Sequence, residues 1–149
     1  MKIVIASDHG GFHLKQSILK LLDSRKISYV DLGVSSEDSV DYPDYAAKVA
    51  ESLAKGEVDG GILVCGTGIG MAIAANKYRG VRAAVVTDPY TAQMSKEHND
   101  ANVIALGGRV LDEAKAAAAV QAWLDAKFQS GRHQRRLEKI AEIENKNFK

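Results

Sequence analysis

The residues best suited to chemistry form one short stretch in the middle of the chain, Cys65-Gly66-Thr67-Gly68-Ile69-Gly70. Cys65 is the only cysteine, and a thiolate can act as a nucleophile or as a base. The apolar residues 62–64 before it are typical of a buried parallel strand, and the alanine-rich segment after it is typical of a helix. A strand that leads through a glycine-rich turn into a helix presents free N–H groups to an anion and favours a thiolate. Thr67 could contact that anion or cap the helix.

Further candidates follow the other strand-like segments. Asp8 and His9 come after the first apolar segment, and Asp88 and Arg109 come after two later ones. Because the carboxyl ends of parallel strands meet at one edge of a sheet, these side chains are expected at the same edge as the cysteine. The glycine-rich loop, followed by Asp88 about 20 residues on, also leaves open a nucleotide- or flavin-binding module without catalysis. The loop lacks the third glycine of the dinucleotide pattern, which weakens that alternative.

Histidine and arginine spacings suggest proton transfer and phosphate binding. His98 is predicted near the C-terminal end of a helix, where the helix dipole favours a protonated ring that can donate a proton. Arg132 and Arg136 are predicted on one face of a helix, as a phosphate clamp would require, although charged helices often carry such pairs without a ligand. His9 and His13 have the same spacing, but no carboxylate or cysteine joins them, so no metal site is predicted. A thiol redox protein would need a second cysteine.

Length and composition predict one globular domain over residues 1–149. Hydrophobic residues make up 46% and charged residues 26% of the chain, and the formal net charge is +1. This balance gives no reason to expect a nucleic-acid partner or a membrane surface. No apolar segment approaches the roughly 20 residues that a membrane span needs, and no signal-peptide pattern is recognised. With a single cysteine in addition, the protein is expected to be cytoplasmic.

The alternation of strand and helix patterns predicts an α/β fold, a doubly wound three-layer sandwich with a five-stranded parallel sheet of the Rossmann or flavodoxin type. The predicted strands cover residues 2–7, 29–32, 62–64, 81–87 and 102–106. The longer predicted helices cover residues 11–24, 43–55, 89–98, 112–129 and 132–144. The last helix is too polar for a core, yet Leu137, Ile140 and Ile143 need a surface to cover. It is therefore predicted to extend to a neighbouring subunit.

Six motifs in order give the chain a resemblance to a known family. They are Asp8-His9-Gly10-Gly11, Asp41-Tyr42-Pro43, Cys65 to Gly70, Ala74-Ala75-Asn76-Lys77, His98-Asn99-Asp100-Ala101-Asn102 and Gly131-Arg132-His133. With them the chain resembles the ribose/galactose isomerase family along essentially its full length. The resemblance implies interconversion of ribose 5-phosphate and ribulose 5-phosphate through an enediolate, in the non-oxidative pentose phosphate pathway, without metal or organic cofactor. Relatives that act on allose 6-phosphate or galactose 6-phosphate leave a six-carbon substrate as the alternative.

The resemblance also implies a role for each candidate residue. Cys65 would be the base, because one branch of the family uses a glutamate at a position that is Met71 here. His98 would open the furanose ring, and Asp8 would hold sugar hydroxyls and help relay a proton. The remaining residues fall into three groups: loop N–H donors for the oxyanion (Gly66, Gly68, Ile69, Gly70), sugar contacts (Thr67, Asn99) and the phosphate end (His9, Arg109, Arg132, Arg136). The site is implied to lie between the subunits of a homodimer, and such dimers can pair into tetramers.

Overall fold

The computed structural model describes all 149 residues. Five strands form one sheet: β1 (Lys2–Ser7), β2 (Ser28–Asp31), β3 (Gly60–Cys65), β4 (Ala83–Val85) and β5 (Val103–Gly107). Six α-helices accompany them: α1 (Phe12–Ser24), α2 (Tyr42–Ala54), α3 (Ile69–Ala75), α4 (Pro89–Glu97), α5 (Glu113–Asp125) and α6 (Arg132–Asn147). A short 3-10 turn, His9–Gly11, precedes α1. None of the helices is both long and apolar enough to cross a membrane.

The sheet is entirely parallel, with the strand order β2-β1-β3-β5-β4. Alternate residues of β1 face two separate apolar cores: Ile3 and Ile5 pack with α1, α4 and α5, and Val4 and Ala6 pack with α2 and α3. Because both faces are covered, the central strands β3 and β5 are buried at every residue and are apolar without alternation. The predicted three-layer α/β sandwich is confirmed, and its topological switch point lies between β1 and β3.

Two predicted elements are longer than the structure allows. The strand predicted over residues 81–87 is only Ala83–Val85, because the N–H of Arg82 donates to the Asn102 side chain and that of Thr87 to the Thr91 hydroxyl. The helix predicted over residues 112–129 ends at Asp125. Residue 126 is extended, and the N–H of Gln129 donates to the carbonyl of Glu97, so the segment is tied to the C-terminal end of α4. Competing hydrogen bonds of this kind, to side chains at β4 and to a backbone carbonyl after α5, are not visible in apolar periodicity.

Helix α6 lies outside both cores and is held at each end by its own protomer. At its N-terminal end, the side chain of His133 is buried. Near its C-terminal end, Arg79 donates hydrogen bonds to the Asn145 carboxamide oxygen at 2.6 Å and to the Phe148 carbonyl at 2.8 Å. Two apolar side chains between these ends stay exposed, Ile140 at 50% and Ile143 at 61%. Extension of α6 to a neighbouring subunit therefore stays a prediction.

Candidate active site

An open cleft of about 460 Å³ lies at the carboxyl edge of the sheet. Its walls come from the residues that follow β1, β3 and β5, because these three adjacent strands end side by side. The lining residues are Asp8, Tyr42, Cys65, Gly66, Thr67, Ile69, Gly70, Ile73 and Arg109. The fold thus gathers most of the residues predicted at strand ends into one cavity.

Cys65 ends β3 and lies at the floor of the cleft with only 5% of its surface exposed. Its Sγ accepts a hydrogen bond from the N–H of Gly68 at 3.2 Å. The turn that aims this N–H back at the sulfur needs Gly68 at φ +83°, a left-handed conformation that glycine adopts without strain. Met71 is fully buried in the core and does not line the cleft. The loop therefore presents the Cys65 side chain, and not that of Met71, to the cleft.

The N–H groups of the loop divide into used and free donors. That of Gly68 is taken by the Cys65 sulfur, and that of Ile69 donates to Thr67 Oγ1 at 3.2 Å. The Thr67 hydroxyl is thus engaged at the start of α3. Gly66, Thr67 and Gly70 donate their N–H groups to no acceptor in the protein. Three donors beside the sulfur are consequently available to a bound anion or carbonyl oxygen.

Asp8 and Arg109 face the same cleft. Asp8 is 7% exposed, and its Oδ1 accepts the N–H of Gly11 at 3.2 Å, which fixes the carboxylate at the end of β1. The guanidinium of Arg109 lies over Gly10 and Gly66, where added Cβ atoms would come within 3.4 and 3.1 Å of its nitrogens. No carboxylate forms a salt bridge with Arg109. The cleft therefore holds a guanidinium without an internal counterion, which suits an anionic ligand.

Tyr42 was missed as a site residue, although it belongs to one of the six motifs. Its ring packs over Gly70, where an added Cβ would lie 2.5 Å from the ring. Position 70 therefore needs glycine, because a Cβ there would clash with the Tyr42 ring. The available signal was the pairing of an aromatic residue with a loop glycine, but they are far apart in sequence, so only the fold reveals their contact.

His9 borders the cleft without lining it. Its Nδ1 accepts a hydrogen bond from the N–H of Val40 at 3.2 Å, which requires that nitrogen to be unprotonated. Nε2 is consequently the ring nitrogen that is left to donate to an anion. The same bond fixes the loop between β2 and α2 against the site.

The other predicted residues lie apart from this cleft within one protomer. His98, Asn99, Arg132 and Arg136 are absent from its lining. Asn99 instead lines a separate groove of about 420 Å³ between the β4 region and α6. His98 follows α4 and stacks on His133, with ring centroids 4.2 Å apart and an angle of 9° between the planes. The structure thus divides the predicted residues into a cleft group and a group at the junction of α4 and α6.

Asp88, the residue that kept the nucleotide-binding alternative open, is occupied locally. Its carboxylate accepts the N–H of Thr91 at 2.7 Å and caps α4, and the Thr91 side chain completes a capping box. These hydrogen bonds lower the pKa of Asp88 below its usual 3.8. A carboxylate committed to a helix cap is not free for a ribose hydroxyl. No group of three or more His, Cys, Asp or Glu side chains could hold a metal ion.

Comparison with known proteins identifies the family. A sequence model of the family described as Ribose/Galactose Isomerase matches residues 3–140. The chain belongs to this family. The resemblance found from the six motifs is therefore confirmed. The fold class is confirmed by solved structures of the same family.

Three relatives represent the similarity. Ribose-5-phosphate isomerase B of Escherichia coli strain K12 is 51% identical over 143 residues, covering 96% of each chain. The structure of ribose-5-phosphate isomerase B from Clostridium thermocellum is 54% identical, with a TM-score of 0.96 over 98% of this chain and 99% of that one. The Mycoplasma genitalium enzyme, solved with bound ribulose-5-phosphate, is 42% identical with a TM-score of 0.94, over 98% and 97% of the two chains.

Proposed function

We propose that this protein is an aldose–ketose isomerase that interconverts D-ribose 5-phosphate and D-ribulose 5-phosphate through an enediolate. One observation carries the proposal: the sulfur of Cys65 lies at the floor of a cleft that also holds the free guanidinium of Arg109. A base beside an anion-binding group is what isomerisation of a sugar phosphate requires. The family and the names of its solved members support the same substrate. The single cysteine, needed in reduced form, fits a reducing cytoplasm.

The reaction only relocates two protons within the substrate, one between carbons and one between oxygens. The Cys65 thiolate removes the proton from C2 of the open-chain aldose and returns it to C1, while the hydroxyl proton moves in the same sense, from O2 to O1. The electron pair released at C2 becomes the enediolate double bond and then the new C1–H bond. Asp8 is positioned at the neighbouring strand end to carry the proton between the two oxygens. No outside oxidant or reductant takes part.

The enediolate oxygens need donors that are in place before the charge develops. The unpaired N–H groups of Gly66, Thr67 and Gly70 are such donors, since the N–H groups of residues 108 and 109 donate to the carbonyls of residues 65 and 66 and fix the loop backbone. The Gly68 N–H donates to the sulfur of the proposed base and is therefore not one of these free donors. Arg109 and the Nε2–H of His9 bind the phosphate, whose binding energy orients the reacting carbons.

Ring opening and the rest of phosphate binding require the second group of residues. We assign ring opening to His98, a sugar contact to Asn99, and further phosphate contacts to Arg132 and Arg136. Because these residues lie apart from the cleft of their own protomer, we propose a homodimer in which each subunit offers them to the cleft of its partner. Tyr42, which is exposed beside the cleft, leaves apolar surface for such a partner to cover. Pairs of dimers would give a tetramer.

Subunit complementation tests the shared site. Cys65→Ser and His98→Asn subunits, each inactive alone, are co-expressed with different tags. A shared site leaves one of the two sites intact in every heterodimer, so a statistical mixture regains about a quarter of wild-type activity. Sites built within single subunits would regain nothing, which would contradict the proposed dimer.

The activity itself is tested by ketose formation from ribose 5-phosphate in EDTA. We expect turnover by the wild type, with a kcat/KM for ribose 5-phosphate that exceeds the value for allose 6-phosphate. A large preference for allose 6-phosphate would replace the pentose by the hexose as substrate. No turnover of either sugar, together with thermal stabilisation by NAD, FMN or ATP, would favour the binding module instead.

A further inference from the structure

The stacked pair of His98 and His133 lies at the junction of α4 and α6, and the proposed function gives no role to its second ring, His133. The rings are nearly parallel at a centroid distance of 4.2 Å, and they join the end of α4 to the first turn of α6. His133 is 8% exposed, whereas His98 keeps a larger part of its surface open. A substrate can therefore contact His98 directly, whereas the buried His133 can act on a substrate only through His98.

Burial and the charges around the pair keep the His133 ring neutral. His98 acts from α4, and Arg132 and Arg136 act from the same helix as His133. Burial first, and then these three positive groups, lower the pKa of His133 below its usual 6.5. Two protonated rings at this separation would repel each other, and the lowered pKa of His133 makes it a neutral ring near neutral pH.

We propose that His133 is a positioning residue for His98: its buried neutral ring is a flat platform that fixes the plane of the His98 ring for proton donation to the furanose oxygen. The inference rests on the ring-opening role proposed for His98. Without the platform, the His98 side chain would be free to leave its plane by rotation about its two side-chain torsions. A displacement of that kind is costly in catalysis because proton transfer needs hydrogen-bond distance.

Two substitutions separate the platform from other functions of His133. His133→Phe keeps a flat ring of similar size without any ring nitrogen, and His133→Ala removes the ring. We expect kcat for ribose 5-phosphate to stay within about threefold of wild type in His133→Phe and to fall roughly 10- to 100-fold in His133→Ala. His13→Phe is the control, because His13 is exposed and pairs with Glu37 instead.

Deuterium exchange distinguishes loss of positioning from loss of the fold or of the base. Ribulose 5-phosphate cannot close a furanose ring, so exchange of its C1 proton in D₂O needs the base but no ring opening. In His133→Ala, exchange should stay within about twofold of wild type while net turnover falls. Equal losses of both would overturn the positioning role. A wild type without exchange or turnover would contradict the proposed function itself.

Histidine NMR gives a readout that needs no activity. The chain has four histidines, so His98→Asn, His133→Phe and His13→Phe suffice to assign the Hε1 signals of His98, His133 and His13. The His98 signal should keep its ring-current shift in His133→Phe and lose it in His133→Ala. An unchanged His98 signal in His133→Ala, or a His133→Phe enzyme as impaired as His133→Ala, would overturn the proposal.

Discussion

Replacement of Cys65 by serine is the sharpest test of the proposed base. Cys65 is 5% exposed and its sulfur accepts the Gly68 N–H, so a serine hydroxyl can take over this hydrogen bond in the same place. The turn should therefore persist, and we expect less than about 2 kcal/mol loss in the free energy of unfolding. Cys65→Ala would instead leave the Gly68 N–H without its partner, which makes serine the cleaner substitution.

The expected loss of activity follows from the acidity of the new group. A hydroxyl is far less acidic than a thiol, so the Cys65→Ser variant would have no populated anion to remove a carbon-bound proton. A positioned base contributes about 10²- to 10⁴-fold to such a step, which corresponds to roughly 2.7–5.4 kcal/mol of transition-state stabilisation. Arg109 and the free loop N–H groups are untouched, so KM should change by less than about threefold. The activity loss of Cys65→Ser should therefore be a decrease in kcat.

The assay follows both net isomerisation and C1 exchange of ribulose 5-phosphate in D₂O. Cys65→Ser should lose both, in contrast to the ring-opening variants, which should lose net turnover only. The matched control is Ser95→Ala, since Ser95 is buried on α4 and its hydroxyl donates only to the Ala92 carbonyl. A Cys65→Ser protein that is folded and keeps more than about a tenth of wild-type kcat would refute Cys65 as the base.

Three further predictions concern the loop, the phosphate and acid stability. Gly68→Ala should lower the free energy of unfolding by about 1–3 kcal/mol through backbone strain, and further through a steric clash, because its Cβ would lie 3.1 Å from the backbone of β5. Gly80→Ala is the control: Gly80 has φ +81° and open space around it, so this variant should show the strain alone in urea unfolding. Arg109→Ala should lower kcat/KM roughly 10- to 150-fold, mainly by raising KM. The control Arg135→Ala, at an exposed position of α6, should leave kcat/KM unchanged. An unchanged KM in Arg109→Ala would place the phosphate elsewhere. Since the fold depresses the pKa of His133 below 6.5, the unfolded chain binds that proton more readily, so stability is full above pH 6.5 and falls below it. Urea titrations of wild type and His133→Phe from about pH 7.5 to 5 should show a shallower acid loss in the variant, and parallel curves would contradict the assignment.

The sequence was sufficient for the fold class because both faces of the central strands are covered. A strand buried on both sides must be apolar throughout, and that run in β3 and β5 is visible without coordinates. Strand ends located in this way also placed Asp8, Cys65 and Arg109 at one edge of the sheet. The extents of β4 and α5 were wrong because backbone hydrogen bonds to Asn102, Thr91 and Glu97 end them.

Only the tertiary structure determined which residues share a cavity and what each contact leaves free. Three contacts could not be predicted from periodicity in the sequence: the hydrogen bond to the Cys65 sulfur, the packing of the Tyr42 ring over Gly70 and the stacking of His133 on His98. The types and spacing of residues within a strand or helix determine which of its faces must be buried, and this pattern is local to each element. Distances between side chains of different elements depend on how those elements pack, so the division of the predicted residues into two groups emerged only from the fold.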